Sequence, residues 1–386
     1  MKFQAKGGEA FDRARAGEPQ PRAAGAGKIE RRAGVARRRI VAAALAAALI
    51  VALSGCELGY YARGAYEGAR LLWNRQPISN VLAQNALSAD ARSKLELVLK
   101  VREFARTNLD LKVDSAYETY TKVDERAVTW LVSAARVDSL TPHTWWFPIV
   151  GAVPYKGYFS RASAEREAQS LEARQLDTYV RPVVAFSSLG FFSDPVLSNL
   201  LALPRVVLAS VIIHELFHRT FYMAGNATFD ESAANYVGLR GAVAFFTATE
   251  GAASPRVAQA REVYESNLKF ARFLLDETAP LEKLYASDLP LNEVLKRRQA
   301  LFVKIKENYT ALAPSLSGLD RFDLDREPIN NAVLVSYMIY FRDLDQFARL
   351  ERLYQGDLHA TIKAIITLAQ KHPEDPFFAV WQAAQQ

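Results

Sequence analysis

The chain has 386 residues, of which half are apolar and 11% are aromatic, so it can bury a large core and disorder over most of its length is excluded. Its formal charge of +6 is concentrated at the start, because residues 1–39 carry 11 Lys and Arg against 4 Asp and Glu and the remainder is close to neutral. Nucleic-acid recognition requires a basic surface on the folded part, and the sequence predicts none. We therefore expect no nucleic-acid partner.

The N-terminal part has the pattern of an export signal. Residues 1–39 are basic, rich in Gly, Ala, Arg and Pro, and without apolar periodicity. We interpret them as a disordered leader or as the product of an upstream false start. Residues 40–55 hold an apolar run that follows three arginines and is short for a membrane span, which is typical of the h-region of a secretory signal. An uncleaved anchor helix is the alternative, and either would tether the chain to a membrane.

Cys56 is the only cysteine, which excludes an internal disulfide and a thiolate zinc cluster. The four residues Leu53 to Cys56 resemble the lipobox of bacterial lipoproteins, in which the cysteine is lipidated and becomes the mature N-terminus. The resemblance implies lipidation at Cys56. A cysteine anchor with more than one acyl chain would hold the protein stably on a membrane.

Two helical patterns are followed by two strand patterns. Apolar residues at helical spacing predict a helix over Tyr60–Trp73, and Ser88 is placed to cap a second helix over Ala89–Thr107. Tyr, Thr, Val and Trp then dominate Tyr117–Val123 and Arg126–Ser133, with a charged turn between them. These two segments predict a pair of neighbouring strands.

The next stretch mixes loop, helix and strand signals. Thr141–Phe159 combines three prolines, two glycines and six aromatic residues, which predicts an ordered and packed loop. A polar amphipathic helix is expected over Ser163–Gln175, and an apolar strand over Tyr179–Phe186. Pro182 has no N–H to donate to a ladder, so this strand is predicted to lie at the edge of its sheet.

Helical patterns dominate the rest of the chain. Arg205–Ala224 is apolar nearly all round and is followed by Gly225, and Asp230–Phe246 predicts a second buried helix. From Pro255 onward the pattern is mostly helical. Interruptions are expected at Ala279-Pro280, Leu289-Pro290 and Asp323–Pro328.

Together these patterns predict an α+β fold that is predominantly α-helical, with a small sheet in the N-terminal half of the mature chain. We expect one domain over residues 56–386. Its parts are helices with the small sheet over 56–200, a pair of active-site helices over 201–250, and a helical C-terminal part over 251–386.

The first helix of this pair contains His-Glu-Leu-Phe-His. His214 and His218 are four residues apart and lie above one another on one face, so both rings can reach one metal ion. Their apolar neighbours would bury the ring nitrogens, which then need partners, and a metal ion supplies one. Two core histidines bonded to carbonyls and carboxylates are the alternative. The motif predicts bound Zn²⁺, with Glu215 as the general base that takes a proton from water.

Zinc with two histidines lacks a third protein ligand, which a carboxylate commonly supplies. Glu231, at the start of the next helix, is predicted to be that ligand. Thr228 to Glu231 also fit a capping box, in which Glu231 would bond back to the Thr228 backbone, and Asp230 is the alternative ligand. Asn235 is on the same face as Glu231 and is predicted to bond a ligand histidine, with an ordinary helix amide as the alternative.

Further site residues are candidates by type and position. The transition-state oxyanion needs an additional donor, and Tyr337 and Tyr340 can supply a hydroxyl, although aromatic residues at helical spacing also form cores. The edge strand can align an extended peptide by strand addition, through Val184, Phe186 and Ser187, or it can be purely structural.

The stretch His214 to Glu231 resembles the bacterial zinc aminopeptidase lipoprotein family, metallopeptidases of the gluzincin HExxH type. Further matches are the segments Trp146 to Gly151, Val153 to Phe159, Ser187 to Gly190, and Asp194-Pro195. The resemblance extends from about the lipobox to the C-terminus. It implies a zincin-like fold, bound zinc, aminopeptidase-like activity on peptides and a lipid-anchored, periplasm-facing location in the cell envelope, at the inner or outer membrane.

The combined prediction is a membrane-anchored zinc peptidase, and an aminopeptidase in particular. Zinc would lower the pKa of water toward about 7, and Glu215 would move the proton to the leaving amine. One alternative is an amidase or endopeptidase that acts on cell-wall peptides. The other is a non-enzymatic envelope lipoprotein that keeps zinc for structure or binding.

Overall fold

The fold is taken from a computed structural model, which describes residues 55–84, 87–123, 129–147, 150–183, 194–318, 324–325 and 328–385. The chain divides into two units, 1–63 and 64–386, and the sheets and the helix packing described below are those of the second unit. The predicted leader over 1–39 and the predicted signal up to Ser54 lie outside the described residues. Within the described part, no helix combines the length and the apolar character that a membrane crossing requires.

Helices form most of the described chain. In chain order they are α1 (Gly55–Trp73), α2 (Ile78–Ala83), α3 (Ala89–Asn108), α4 (Arg161–Glu172), α5 (Arg205–Thr220), α6 (Ala227–Glu250), α7 (Pro255–Tyr285), α8 (Leu291–Leu312), α9 (Asn331–Phe341), α10 (Leu344–Leu353), α11 (Leu358–Lys371) and α12 (Pro376–Ala383). The predicted helices at α1 and α3 are confirmed, and Ser88 caps α3 because its hydroxyl accepts the Ala91 N–H at 3.2 Å.

The described strands are short and form three small sheets. They are β1 (Gln76–Pro77), β2 (Thr119–Thr121), β3 (Thr129–Arg136), β4 (Trp145–Phe147), β5 (Gly151–Val153), β6 (Lys156–Tyr158), β7 (Leu176–Val183) and β8 (Val196–Leu197). The sheet orders are β1-β2-β8, β6-β3-β7 and β4-β5. The prediction of a predominantly helical α+β fold with small sheets is therefore confirmed.

The predicted pairing of the first two long strand patterns is wrong. Both segments contain a strand, but β2 pairs with β1 and β8, whereas β3 pairs antiparallel with β6 and β7. A strand can pair along both of its edges, and the strands that pair with β2 and β3 come from distant parts of the chain. Local patterning therefore identified the strands but not their neighbours.

The aromatic segment 141–159 is more regular than the predicted loop. It contains β4, β5 and β6, and β4 and β5 form a two-stranded antiparallel sheet in which Trp145 is opposite Val153. Gly151 begins β5 with φ of +75°, a conformation that favours glycine.

The edge position of the strand predicted over Tyr179–Phe186 is confirmed. Its described part, β7, has β3 as its only partner in the described part of its sheet and places Pro182 at that edge.

The sheet β6-β3-β7 is covered on both faces. Val132 and Ala134 of β3 pack toward α4, where they form a small cluster with Leu171. Ala135, on the opposite face, packs against Val335 of α9. This alternation follows from the two-residue period of a strand, and it places α9 on the face of the sheet opposite α4.

The two central helices are joined by a tight connection. The first helix, α5, ends at Thr220 and not at Ala224 as predicted, because Phe221 adopts an extended conformation. The carboxylate of Asp230 then accepts the Met223 N–H through both oxygens, at 3.1 and 3.2 Å, which holds the connecting segment. The second helix, α6, follows Asn226 and runs through the predicted Asp230–Phe246 segment to Glu250.

Two glycines on α6 allow it to approach α5 closely. A Cβ atom at Gly238 would lie 2.5 Å from the Ser210 carbonyl oxygen and 3.1 Å from the His214 Cβ. At Gly241 it would lie 2.8 Å from a methyl carbon of Ile213. The distances of 2.5 and 2.8 Å are shorter than real Cβ atoms show, so the absence of a side chain at these two positions sets the separation of the two helices.

The expected interruption at Pro280 is wrong, whereas the one at Pro290 is confirmed. Pro280 lies inside α7, which continues to Tyr285, and α8 begins directly after Pro290. Pro280 and Asp276, whose carbonyl loses its N–H partner, are both exposed residues of α7, so this face of the helix borders solvent. Leu281 is fully buried beside it and anchors the helix through the proline.

One large apolar cluster joins the central helices to the C-terminal ones. Phe229 of α6 contacts Phe347 of α10 and Phe377 of α12, with ring centroids 5.8 and 5.1 Å apart. Phe270 of α7 packs edge-on against Phe341 of α9 at 4.8 Å. The C-terminal helices therefore support the first turns of α6, where a candidate ligand lies.

Candidate metal centre

Two histidines on consecutive turns of α5 face the same point. The Nε2 atoms of His214 and His218 are 3.1 Å apart, and the rings meet edge to face with their centroids 4.8 Å apart. His218 is 4% exposed, and His214 is more accessible. The predicted four-residue spacing therefore brings the two ring nitrogens together.

The carboxylate of Glu231 reaches the same point from α6. Its Oε2 atom lies 3.3 Å from the His214 Nε2 and 3.4 Å from the His218 Nε2. His214, His218 and Glu231 form a group whose ligand atoms all lie within 4.8 Å of one another. The capping-box interpretation is wrong, because α6 begins before Thr228 and the Glu231 side chain points to the imidazoles.

The donor set fits a zinc ion. Two ligands at zinc–nitrogen and zinc–oxygen bond lengths and a tetrahedral angle lie roughly 3.3–3.5 Å from each other. The three separations found here, 3.1, 3.3 and 3.4 Å, are close to that spacing. Two neutral imidazoles and one carboxylate also form a ligand set that catalytic zinc sites use.

The three side chains are strongly coupled electrostatically. Burial opposes a charge on His218, but the neighbouring Glu231 carboxylate outweighs it and raises the pKa of His218 to about 9. Burial also opposes ionisation of Glu231, yet the imidazoles of His218 and His214 hold the pKa of Glu231 well below its usual range. The carboxylate is therefore ionised, as a metal ligand must be.

Tyr155 contacts the centre and was not predicted as a site residue. Its hydroxyl donates to the Glu231 Oε1 at 2.9 Å, which leaves Oε2 directed at the histidines. Burial, followed by the Glu231 charge, raises the pKa of Tyr155 well above its ordinary value, so the hydroxyl keeps its proton. The only signal in the sequence was its place in the Val153 to Phe159 segment, because 76 residues separate it from Glu231.

Glu215 lies next to His214 on α5 and is partly exposed. Burial is the main cause that raises the pKa of Tyr117 and Tyr340, and the negative charge of Glu215 adds to the shift at both. The same charge acts on His218. The carboxylate therefore lies among the groups that surround the three candidate ligands.

The structure separates the two candidate tyrosines of α9. Tyr340 is close enough to the centre for the Glu231 charge to act on its hydroxyl. Burial is the first cause and this charge the second that raise the pKa of Tyr340 to about 12. Tyr337 is 2% exposed, its hydroxyl oxygen is 3.5 Å from that of Tyr179, and its ring packs against Phe270. Tyr337 therefore belongs to the core face of the helix, and its role as an oxyanion donor stays a prediction.

Asn235 and Asp230 do not take the roles predicted from spacing. The Nδ2 of Asn235 donates to the Tyr340 carbonyl oxygen at 2.9 Å, so it joins α6 to α9 and is not bonded to a histidine ring. The buried Nδ1 of His218 has no hydrogen-bond partner among the described residues. Asp230 is directed at Met223, and burial raises its pKa to about 7, which does not favour it as a ligand.

The predicted peptide-contacting residues Val184, Phe186 and Ser187 lie outside the described residues. The strand that leads to them, β7, is described as far as Val183. It carries Arg181, whose Nη2 lies 3.4 Å from the Tyr340 hydroxyl. The edge strand therefore reaches a residue that borders the metal centre.

Comparison with known proteins identifies the family of the chain. Searches of curated proteins and of solved structures find no match. A family described as "Putative aminopeptidase" matches residues 59–376, which include the histidine pair, Glu231, Tyr155 and Tyr340. Because this match covers most of the sequence, the chain belongs to that aminopeptidase family.

Proposed function

We propose that the protein is a zinc-dependent peptidase of zincin-like fold, and an aminopeptidase in particular. The observation that carries the proposal is the convergence of His214, His218 and Glu231, whose three ligand atoms have the separations expected around one zinc ion. The family description supports peptidase activity independently of this geometry.

Three polar side chains around the centre have roles in amide hydrolysis. When bound, zinc supplies Lewis-acid chemistry, which acidifies water and polarises a carbonyl group. Glu215 accepts the proton of the attacking water and passes it to the leaving amine. Tyr155 holds the Glu231 carboxylate in place. Tyr340, whose hydroxyl stays protonated, donates to the oxyanion that develops in the transition state.

The proposal is tested with Glu215→Gln in the zinc-loaded protein. The variant is expected to retain zinc, because Glu215 is not in the ligand group, and to lose at least about a hundredfold in turnover of unblocked peptides, as loss of a general base does. Glu165→Gln, at an exposed position of α4, is the matched control and should behave as wild type. Unchanged hydrolysis by Glu215→Gln would rule out this base.

Exopeptidase and endopeptidase action are separated by the substrate. Alanine peptides with a free amine are expected to be cleaved from the N-terminus, and N-acetylated peptides of the same sequence are expected to be resistant. Cleavage of both forms at internal bonds would instead favour an endopeptidase or a cell-wall amidase. Zinc analysis accompanies each assay, so that loss of metal is not mistaken for substrate preference.

We also propose that the peptidase domain spans residues 56–386 and is anchored by a lipid at Cys56, facing the periplasm. The support is the sequence of Leu53 to Cys56 and the apolar run before it. The full chain and its Cys56→Ser variant are compared after labelling with a radioactive fatty acid and fractionation of membranes. Label and membrane association are expected only with Cys56, and an equally labelled serine variant would contradict the anchor.

A further inference from the structure

Arg181 lies on the edge strand β7 and faces the helix that borders the metal centre. Strand register places it opposite Leu131, and Tyr179, two residues earlier, is on the same face. Tyr179 contacts Tyr337 of α9, whereas Val180 packs on the opposite face toward α4. Arg181 is therefore directed to the α9 side of the sheet.

The guanidinium of Arg181 is partly buried and has no acidic partner in the part of the chain that the structure describes. Its Nη2 donates to the Tyr340 hydroxyl at 3.4 Å, and its central carbon is 5.5 Å from the centroid of the Tyr340 ring. Its Nε is buried and has no hydrogen-bond partner among those residues. Among the described residues, the charge is thus held by one weak hydrogen bond and one aromatic face.

Two other shielded arginines of the molecule, Arg298 and Arg240, are paired with carboxylates. Arg298 donates to Asp177 at 2.7 and 3.2 Å, and Arg240 donates to Glu351 at 2.8 and 2.6 Å. Removing an arginine from water is costly unless such pairs replace its hydration. Unlike these two arginines, Arg181 has no carboxylate partner among the described residues.

Arg181 is linked to the metal centre through Tyr340. Tyr340, which it contacts, accepts the Asn235 amide on its carbonyl oxygen, and Asn235 is one turn from Glu231 on α6. The charges of Glu231 and Glu215 both act on the Tyr340 hydroxyl. Arg181 and the metal centre therefore share Tyr340 as a neighbour, so a peptide that runs from the histidine pair past Tyr340 reaches Arg181.

Guanidinium is suited to one class of ligand in particular. Its planar donors match the two oxygens of a carboxylate, and it is less strongly hydrated than an ammonium group. In a peptide substrate, the available carboxylates are the C-terminus and the side chains of Asp and Glu. An incoming carboxylate would accept from the guanidinium and would neutralise its partly buried charge.

We propose that Arg181 binds a carboxylate of the substrate, so that the enzyme acts preferentially on short peptides that present an anionic group just beyond the scissile bond. This inference rests on the proposed peptidase function, which it deepens by naming a substrate class. It assigns Arg181 to substrate binding and not to stabilisation of the reacting carbonyl.

The test compares tetra-alanine with a free C-terminus, the same peptide as its amide, and an amidated peptide with Asp at the third position. Binding is measured by calorimetry to zinc-loaded Glu215→Gln, and hydrolysis is measured with the wild type. The free acid is expected to bind about 10- to 100-fold more tightly than the amide, as a charge-assisted hydrogen bond contributes. Arg181→Met is expected to remove this ratio, and Arg181→Lys to retain part of it.

Arg161→Met is the matched control, because Arg161 also lies over an aromatic ring of this sheet, that of Trp130, but is on an exposed helix. It should leave the ratio unchanged. If the amidated Asp peptide binds with the Arg181-dependent affinity, Arg181 recognises a side-chain carboxylate of the substrate. If only the free acid binds with that affinity, Arg181 recognises the C-terminal carboxylate. Either result supports the proposal.

Two results would overturn the inference. Equal binding of acid and amide by a folded protein would show that no carboxylate is recognised. An equal loss for acid and amide in Arg181→Met, with the melting temperature unchanged, would assign Arg181 to a group that all peptides share. Failure of the peptidase proposal is distinguishable, because then no peptide is hydrolysed by the wild type, whatever the ratio of binding affinities.

Discussion

At the scale of single residues, the proton on His218 and the carboxylate of Glu231 control how the centre binds a metal ion. His218 is both a candidate ligand and a base strengthened by Glu231, which raises its pKa from an ordinary value of 6.5 to about 9. A ligand imidazole must be neutral, so metal and proton compete for the same nitrogen. Zinc affinity should therefore change with pH, and the direction of this change can be measured.

We predict that zinc affinity rises with pH between 7 and 9. In the metal-free protein the His218 ring is protonated below a pKa of about 9, and zinc must displace that proton. The apparent association constant should therefore increase about tenfold for each pH unit and become flatter above pH 9. Competition titrations with a chromophoric chelator at several pH values measure this slope. A constant affinity over the range would show that His218 does not bind the metal.

Tyr155 is predicted to support the metal centre through Glu231. Tyr155→Phe removes the 2.9 Å hydrogen bond to Oε1 and leaves the ring in place. Loss of such a supporting bond typically weakens metal binding by about 10- to 100-fold. The same chelator competition measures the change. Tyr158→Phe, three residues along the chain on β6, is the control, and an unchanged affinity in Tyr155→Phe would contradict the supporting role.

At the scale of elements, the distance between α5 and α6 determines whether the ligands meet. Each helix contributes part of the donor set, and Gly238 on α6 faces His214 on α5 without an intervening side chain. Packed helices resist the insertion of even one methyl group. The ligand geometry therefore depends on a residue that has no functional group.

Gly238→Ala is predicted to damage both stability and metal binding. Its Cβ would lie 2.5 Å from the Ser210 carbonyl oxygen and 3.1 Å from the His214 Cβ, so the helices must separate. Overpacking of this kind costs about 1–3 kcal/mol, to be measured by urea unfolding of the metal-free protein. Gly68→Ala on α1 has open space and should gain about 0.5–1 kcal/mol at most. Equal effects at both positions would refute the packing argument.

At the scale of the whole molecule, the small sheet and the C-terminal helices are joined by a buried ion pair. Asp177 of β7 accepts two hydrogen bonds from Arg298 of α8 and the Asn331 N–H at the start of α9, at 3.0 Å. Arg298 also donates to the Val137 carbonyl at 2.8 Å. This network fixes β7 relative to α9, and hence Arg181 relative to Tyr340.

Asp177→Ala is predicted to destabilise the protein by about 3–5 kcal/mol, because it leaves the buried Arg298 charge without its acidic partner. Asp138→Ala is the control, since the Asp138–Arg136 pair is at the surface and should contribute less than about 1 kcal/mol. Denaturant unfolding of the two variants gives both values. Similar small losses would show that the sheet is held by apolar packing alone.

Much of the local structure could be predicted because its causes are local. The four-residue spacing of His214 and His218 determines that their rings meet once the helix forms. Ser88 marks the start of α3, and Pro182 marks an edge strand, since each acts on its own backbone. These features depend on neighbours within a turn or a strand. The sequence alone therefore determined the helix content, the histidine pair and the place of Glu215 beside it.

Tertiary structure decided the partners that lie far apart in the chain. It directed Glu231 to the histidines in place of a capping box, brought Tyr155 to Glu231, and separated Tyr340 from Tyr337. It also gave β2 and β3 different neighbours. Such choices depend on which apolar faces bury against one another and on how closely Gly238 lets two helices approach. Those energies belong to the packed molecule, and no local pattern in the sequence contains them.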